Sequence, residues 1–126
     1  MKTNLLIPFS IGHCANDLAP IGMYILIPAF GTAMGLSPAE IGLLFMVHTF
    51  GSSIAYLPAG LLADHVANRG ILLAATFFWV GFGYLTASFA DSFWSFAILI
   101  VVAGMGDAAW HPIATGVLAQ MHKARR

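Results

Sequence analysis

Four long apolar stretches constrain the fold of this chain more than any other feature of its sequence. A helix that crosses the hydrocarbon core of a bilayer needs about 20 mostly apolar residues. The four stretches reach that length or nearly so, and they take up most of the chain, at residues about 5–30, 41–62, 71–89 and 93–121. The sequence therefore predicts an all-α fold, a polytopic transmembrane helix bundle of four spans that forms a single region over residues 1–126.

The composition excludes an ordinary soluble domain. Hydrophobic residues make up 60% of the chain and charged residues only 8%, whereas soluble domains are about 25% charged. The formal net charge is zero, so there is no basic face to bind the phosphates of a nucleic acid. The single cysteine excludes a disulfide framework and any zinc site built from several cysteines.

The start of the second stretch carries the signals of a helix N-terminus. Ser37 stands at the N-cap, Pro38 at the first helical position and Glu40 at the third, which predicts a capping box. The first stretch has an alternative interpretation as a signal peptide. Its apolar run is too long for that, and it is interrupted near its centre by polar residues, so a membrane span is favoured.

The distribution of charged residues between the stretches predicts the orientation in the membrane. Lysine and arginine favour the cytoplasmic side of short loops. When the sides are numbered alternately, all the basic residues fall on one face: Lys2, Arg69, Lys123, Arg125 and Arg126. The opposite loops, 31–40 and 90–92, contain only the acids Glu40 and Asp91. Both termini are therefore predicted to be cytoplasmic.

Two aspartates interrupt the apolar stretches near their centres, and each has a histidine four residues away. His13 precedes Asp17 in the first stretch, and His111 follows Asp107 in the fourth. A spacing of four puts both members of a pair on one helix face, and ionisable groups at mid-membrane are usually functional. Carboxyl groups in apolar surroundings and imidazoles exchange protons near physiological pH. The two pairs predict a proton relay. The alternative is that the histidine and aspartate of each pair only satisfy each other's polar groups inside a helix bundle.

Three further residues are candidates for a substrate cavity. Asn16 adjoins Asp17, Trp110 is close to Asp107 in sequence, and His48 lies in the second stretch. Core packing is an equal alternative for Trp110. Packing or an interhelical hydrogen bond is the more frequent role for a lone histidine such as His48.

The residues favour neither an enzyme nor a metal site. A hydrolytic or acyl-transfer enzyme needs a nucleophile beside a base, and no serine or cysteine is placed convincingly beside a histidine. The His–Asp pairs are the only candidate ligands with helical spacing, and Cys14 is expected to be a small buried residue. We therefore predict no catalytic residue, no metal and no cofactor.

Prolines and small residues within the stretches predict how the helices bend and pack. Each proline lacks an N–H and frees a carbonyl one turn earlier, which predicts a kink. The prolines concerned are Pro20, Pro28, Pro58 and Pro112. Small residues at four-residue spacing let helices approach closely; they include Gly51, Ala55, Ala59, Gly104 and Ala108.

The segment between the second and third stretches reads Gly60-Leu-Leu-Ala-Asp64-His-Val-Ala-Asn-Arg69-Gly. It resembles the cytoplasmic signature of the major facilitator superfamily. The resemblance implies that Gly60 lies at a tight helix contact. It also implies that Asp64 and Arg69 form a gating motif, in which acid and base hold the cytoplasmic loop against neighbouring helix ends.

Two other segments are similar to the fosmidomycin-resistance branch of that superfamily. They read Ser10-Ile-Gly-His13-Cys-Ala-Asn16-Asp17 and Gly104-Met-Gly106-Asp107-Ala-Ala-Trp-His111-Pro112. The resemblance implies a twelve-helix antiporter of the inner membrane, made of two six-helix halves, whose first and fourth helices line the central cavity. It implies proton-driven export of small organic compounds such as antibiotics, or uptake or export of metabolites as in related members, with this chain as part of the N-terminal half. The expected partners are the substrate, protons, lipid and the remaining helices of the transporter.

The chain length leaves a second interpretation open. In the first, the four spans are an N-terminal fragment of the transporter, and the length indicates a missing remainder. In the second, the chain is a complete small four-helix membrane protein, either an oligomeric exporter or a non-transporting assembly subunit. Small multidrug exporters of similar size depend on a glutamate in their first span, and no glutamate lies within any predicted span here. The first interpretation is therefore favoured.

Overall fold

The structure, a computed structural model, describes residues 6–123, with side chains for residues 6–121. In this range the regular elements are five helices: α1 (Leu6–Ala33), α2 (Pro38–Ser53), α3 (Tyr56–His65), α4 (Arg69–Ala87) and α5 (Phe93–Lys123). The prediction of an all-α fold is confirmed. Several basic residues used to predict the orientation lie outside the described residues, namely Lys2, Arg125 and Arg126, as does residue 5 at the start of the first predicted span.

The ends of the helices follow the signals in the sequence. The Ser37 hydroxyl accepts a hydrogen bond from the Glu40 amide at 3.3 Å, and the Glu40 carboxylate accepts one from the Ser37 amide at 2.8 Å. The predicted capping box at the start of α2 is thus confirmed. Just after α1, Gly35 has a φ of +70°, a left-handed conformation that glycine adopts without strain.

The second predicted span is interrupted near its middle, between α2 and α3. Pro58 has no N–H to donate to the carbonyl of Ile54. The chain passes this point with three-residue hydrogen bonds, from Ile54 to Gly51 at 3.3 Å and from Ala55 to Ser52 at 3.1 Å. A distortion was predicted at each proline, and Pro58 is where the helix breaks. Helices α1 and α5 continue without interruption through the others, Pro20, Pro28 and Pro112.

Within residues 6–123, three segments are long and apolar enough to cross a membrane: Pro38–His65, Arg69–Ala87 and Phe93–Met121. They correspond to the second, third and fourth predicted spans, and the first of them comprises α2 and α3. Helix α1 has 28 residues but is not among these segments. The polar side chains of His13, Asn16 and Asp17 interrupt the apolar sequence of α1. That α1 also crosses the membrane stays a prediction.

Helix α5 lies at the centre of the bundle and packs against α4, α2 and α3. Two clusters of buried apolar residues hold these helices together. The cluster nearer the α1–α2 and α4–α5 loops contains Met23, Ile27, Leu44, Ala87, Phe96, Ala97 and Ile100. The cluster nearer the α3–α4 turn contains Ala55, Ala59, Ala63, Ala108, Ala109 and Ile113.

Small residues bring α5 close to its neighbours, as the sequence predicts. A Cβ atom added at Gly51 would lie 2.7 Å from the Val101 side chain, and one added at Gly83 would lie 2.7 Å from the Cα of Ala103. Ala59 and Ala108 are both buried in the second cluster. Apolar helices in a bilayer associate largely through such close packing, so these positions fix how α5 sits against α2, α3 and α4.

Candidate functional site

Polar side chains of α1 and α5 meet in one cluster near the middle of the two helices. On α1, His13 Nε2 lies 3.2 Å from the Asp17 carboxylate. On α5, His111 Nε2 lies 3.9 Å from the Asp107 carboxylate, and it also lies 3.8 Å from Asp17 across the helix interface. We call His13, Asn16, Asp17, Asp107 and His111 the His–Asp cluster. The two pairs found separately in the sequence thus form a single group.

Asn16 joins the two halves of the His–Asp cluster. Its amide nitrogen donates a hydrogen bond to the Asp107 carboxylate and a longer one, of 3.4 Å, to the Asp17 carboxylate. The side chain is fully buried, and its carbonyl oxygen has no hydrogen-bond partner among the described residues. The sequence analysis places Asn16 in a substrate cavity; in the structure it occupies this buried junction, where two carboxylates share one neutral donor group.

Aromatic contacts position the two histidines of the cluster. The Trp110 ring stacks on the His13 ring, with centroids 5.3 Å apart and planes inclined by 3°. The His111 ring meets both of these rings edge-on, with centroid distances of 5.5 Å. All three side chains line a cavity of about 260 Å³ between α1 and α5. Trp110 is also buried, so it both packs in the bundle and borders the cavity.

His48 links α2 to α4 and borders a second cavity. Its Nε2 lies 2.9 Å from the hydroxyl of Tyr84, which is an interhelical hydrogen bond. The same side chain lines a cavity of about 150 Å³ between α1, α2 and α5, whose wall also includes Asp107. The interhelical hydrogen bond is thus present, and a role of His48 in binding substrate stays a prediction.

Several polar residues at or near these cavities were not predicted from the sequence, among them Ser52, Tyr56 and Tyr84. Ser52 and Tyr56 line the smaller cavity together with His48. They stand four and eight residues after His48, so helical spacing would have identified at least Ser52 as a neighbour of the histidine. Tyr84 lies on another helix, and the packing of both α2 and α4 on α5 brings it to His48.

The predicted gating residues lie at the turn between α3 and α4. Arg69 Nη2 lies 3.7 Å from the Asp64 carboxylate, and Arg69 Nε donates a hydrogen bond of 2.9 Å to the carbonyl of Ala63. A Cβ atom added at Gly60 would lie 3.7 Å from Pro112, an ordinary van der Waals distance. The contact predicted at Gly60 exists, but it is looser than the contacts at Gly51 and Gly83 and does not itself require glycine.

A cavity of about 590 Å³ connects this turn with the His–Asp cluster. Its wall includes Gly60, Asp64, Arg69 and His111. The imidazole of His111 is therefore reached from the end of the bundle where Asp64 and Arg69 lie. The arrangement can bring a proton or a polar solute to His111 and, through it, to Asp17 on α1.

The geometry of the cluster also bears on metal binding. Ligand atoms of His13, Asp17 and His111 all lie within 4.8 Å of one another, and two imidazoles with a carboxylate form a donor set that transition metals accept. That the chain binds no metal stays a prediction.

Cys14 is exposed, so the expectation that it is buried is wrong. It lies two residues from the buried Asn16, which turns it to the opposite side of α1.

Comparison with known proteins identifies the family. The model of the Major Facilitator Superfamily matches residues 9–126. The chain is 33% identical over 85 residues to a probable L-galactonate transporter of Escherichia coli (strain K12), a match that covers 68% of this chain and 18% of the relative. It is 30% identical over 100 residues to a probable 4-methylmuconolactone transporter of Cupriavidus pinatubonensis, covering 79% of this chain and 23% of the relative.

A third relative, an uncharacterized MFS-type transporter of Methanocaldococcus jannaschii, is 27% identical over 90 residues, which cover 71% of this chain and 23% of the relative. No solved structure matches the chain. The chain thus spans about a fifth of the length of the curated relatives it matches, and these relatives are named as transporters rather than enzymes. Because the family model matches nearly the whole sequence, the chain belongs to the Major Facilitator Superfamily of transporters.

Proposed function

We propose that this chain forms the N-terminal part of a proton-coupled secondary transporter of small organic compounds. The observation that carries the proposal is the His–Asp cluster, in which ionisable side chains of α1 and α5 contact one another near mid-helix. Ionisable residues inside transmembrane segments are costly and mark proton or substrate pathways. Membership of the superfamily supports transport, and the His–Asp cluster supports coupling of that transport to protons.

In this proposal Asp17 and Asp107 exchange the coupled protons, and His13 and His111 relay them. Asp17 is central because one of its oxygens faces His13 on its own helix and the other faces His111 on α5. Imidazoles gain and lose protons at physiological pH. A carboxylate between two imidazoles can therefore pass a proton from α5 to α1 as the helices change their relative positions.

The substrate is proposed to bind beside the His–Asp cluster, in the cavities bordered by His48 and Trp110. Asn16 is proposed to contact the substrate through its unpartnered carbonyl oxygen when the neighbouring cavity opens. The names of two relatives support a small organic substrate, since they refer to L-galactonate and 4-methylmuconolactone.

Export by antiport is the proposed mode of transport, with antibiotics or metabolites as the exported compounds. It rests on the similarity of residues 10–17 and 104–112 to the fosmidomycin-resistance branch. The proposed location is the inner membrane. Both termini are proposed to be cytoplasmic, because the basic residues all fall on one side of the predicted spans.

Asp64 and Arg69 are proposed to form the cytoplasmic gate. Their ion pair borders the cavity that reaches His111, so its opening would admit protons or substrate to the His–Asp cluster. Asp64 is mostly exposed, and exposed ion pairs contribute only about 0–1 kcal/mol. Such a weak contact suits a gate that must open and close in every transport cycle.

The proposal is tested by neutralising the two aspartates in the full-length transporter, reconstituted in vesicles that contain a pH-sensitive dye. L-galactonate is the first probe and 4-methylmuconolactone the second. In the unaltered protein, adding a transported probe to one side should move protons across the membrane. Asp17→Asn and Asp107→Asn should each abolish this proton movement and the accumulation of probe against its gradient, because an amide cannot exchange a proton.

The matched control is Asp91→Asn, which makes the same chemical change at an exposed residue of the α4–α5 loop. This variant should move protons and probe as the unaltered protein does. Undiminished proton-coupled transport in both Asp17→Asn and Asp107→Asn would show that the relay is wrong.

A further inference from the structure

Three side chains of the His–Asp cluster direct metal-binding atoms toward one point between α1 and α5. His13 Nε2 lies 3.2 Å from one carboxylate oxygen of Asp17, and His111 Nε2 lies 3.8 Å from the other. One ligand atom from each of the three residues can be chosen so that all lie within 4.8 Å of one another. The ligand atoms of a tetrahedral Zn²⁺ ion stand about 3.3 Å apart. Side-chain rotation alone therefore brings the three atoms onto one ion.

The chemistry of the three ligands selects a transition metal. Two imidazoles and one carboxylate hold Zn²⁺ in known proteins, and water then takes the fourth position. Mg²⁺ and Ca²⁺ are bound by oxygen atoms, whereas imidazole suits zinc and its neighbours. Each His–Asp pair supplies only two such ligands from its own helix. The third comes from the other helix, through the contact of His111 with Asp17.

The charges around this point also favour a doubly charged cation. Burying an ion in apolar surroundings is costly unless opposite charges lie close to it. Asp17 and Asp107 together carry two negative charges when ionised, and the Asp107 carboxylate lies 3.9 Å from His111 Nε2. Among the side chains that the structure describes, Arg69 is the only lysine or arginine, and it pairs with Asp64. The two carboxylates can therefore balance the charge of one Zn²⁺ ion.

The cavity between α1 and α5 gives the ion access and room for a bound water. Its volume is about 260 Å³, and both His13 and His111 line it. The hydroxyl groups of Ser10 and Thr115 border the same cavity and can accept hydrogen bonds from a metal-bound water. The Trp110 ring stacks on the His13 ring and restricts its orientation, as a preorganised ligand requires.

We propose that His13, Asp17 and His111 form a binding site for Zn²⁺, with water as the fourth ligand. The bound ion ties α1 to α5 and occupies the carboxylate that is proposed to exchange protons, so it inhibits transport. Only the inhibition rests on the proposed function; the binding itself does not. The inference replaces the prediction from sequence that the chain binds no metal, and one titration decides between them.

The test titrates Zn²⁺ into the purified full-length transporter in lipid nanodiscs, in competition with a fluorescent zinc chelator. The purification tag contains no histidine, and no proton gradient is present. The unaltered protein should bind Zn²⁺, and the ion should raise its melting temperature, because a ligand of the folded state stabilises it. His13→Ala, Asp17→Asn and His111→Ala should each weaken binding at least about tenfold, since the loss of a group that merely supports a ligand already costs roughly 10–100-fold.

The matched control is His65→Ala, which removes an imidazole outside the cluster. His65 is exposed at the end of α3, where its Nδ1 lies 2.7 Å from the carbonyl of Leu61. This variant should change the affinity for Zn²⁺ by less than about twofold, because distant sites act independently. A thermal unfolding scan checks that each variant folds. If His13→Ala does not fold, His13→Phe replaces it, since phenylalanine keeps a ring against Trp110 and has no ligand nitrogen.

Absence of Zn²⁺ binding would overturn the inference, as would equal affinities of His65→Ala and the three cluster variants. In vesicles, Zn²⁺ should block the proton movement that a transported probe causes, and a chelator should restore it. Undiminished proton movement with Zn²⁺ bound would overturn the inhibition.

The binding site and the proton relay can fail separately. If Asp17→Asn loses Zn²⁺ binding but keeps proton-coupled transport, the relay role of Asp17 is wrong and the metal site stands. If the unaltered protein binds no Zn²⁺ but Asp17→Asn abolishes coupling, the metal site is wrong and the relay stands.

Discussion

Asn16 is one of the side chains that join the two ionisable pairs, beside the direct contact of His111 with Asp17. It is fully buried and donates to Asp107 and, more distantly, to Asp17. Hydrogen bonds between polar side chains in helix bundles of the membrane contribute about 0.6 kcal/mol on average and up to about 1.7 kcal/mol. Because the acceptor here is a carboxylate, we expect a contribution in the upper part of that range.

A double-mutant cycle between Asn16→Ala and Asp107→Ala tests this contribution. We expect a coupling energy of about 1–1.7 kcal/mol, measured by reversible unfolding of the purified protein in mixed detergent micelles. The control cycle combines Asn16→Ala with Thr76→Ala. The Thr76 hydroxyl donates to the carbonyl of Leu73 on its own helix, so this pair should be additive within about 0.3–0.5 kcal/mol. A coupling between Asn16 and Asp107 no larger than the control would mean that the hydrogen bond adds no stability.

The contacts within the His–Asp cluster show which parts of the site can be predicted from the sequence and which cannot. The pairing of His13 with Asp17 and of His111 with Asp107 follows from a spacing of four within a helix, and both pairs are found. The contact of His111 with Asp17 depends on how α5 is rotated against α1. No spacing within one helix contains that information, so the union of the two pairs required the structure.

The helix break near Pro58 occurs where glycine and serine residues also weaken the helix. Each of the four intrahelical prolines frees a carbonyl, yet the interruption occurs only between α2 and α3 in the described chain. The residues before the freed carbonyl of Ile54 are Gly51, Ser52 and Ser53. Glycine and serine pairs weaken helices, and the Ser53 hydroxyl competes for a backbone carbonyl there. The sequence rule identified the freed carbonyls but not this combination.

The packing of α4 against α5 leads to a prediction with a control in the same helix. A methyl group at Gly83 would lie 2.7 Å from the Cα of Ala103, and backbone atoms cannot rotate out of the way. Gly83→Ala should therefore destabilise the protein by about 1–3 kcal/mol. A methyl group at Gly81, half a turn earlier, would meet nothing within 4 Å. Gly81→Ala should be neutral or stabilising by up to about 1 kcal/mol, because alanine favours the helix.

Thermal unfolding of the two glycine variants in detergent gives the comparison directly. The melting temperature of Gly83→Ala should fall and that of Gly81→Ala should stay or rise. Equal melting temperatures would show that α4 and α5 are farther apart than this packing requires.

For the whole molecule, the polar groups form a series along an otherwise apolar bundle. The hydrogen bond between His48 and Tyr84 is followed by the smaller cavity, the His–Asp cluster, the larger cavity and the ion pair of Asp64 with Arg69. Helix α5 contributes to most of these features because it lies at the centre of the bundle. The sequence predicted the two His–Asp pairs from their spacing and the pair of Asp64 with Arg69 from its motif. The hydrogen bond of His48 to Tyr84 and the cavities result from packing between helices and could not be predicted from one helix alone.

The direction of this series across the membrane depends on the orientation of the chain, which leads to the last prediction. If both termini are cytoplasmic, the α1–α2 loop faces outward and the α3–α4 turn faces the cytoplasm. Ala39 and Ala67 are exposed alanines at these two ends, and each is replaced by cysteine in a background that carries Cys14→Ala, since Cys14 is itself exposed. In intact cells a membrane-impermeant maleimide should label Ala39→Cys, because its thiol faces the outside. It should label Ala67→Cys only after the membrane is permeabilised.

The Cys14→Ala background without either added cysteine is the control and should remain unlabelled in both conditions. Labelling of Ala67→Cys but not Ala39→Cys in intact cells would reverse the orientation and would place the proposed gate of Asp64 and Arg69 on the outer face.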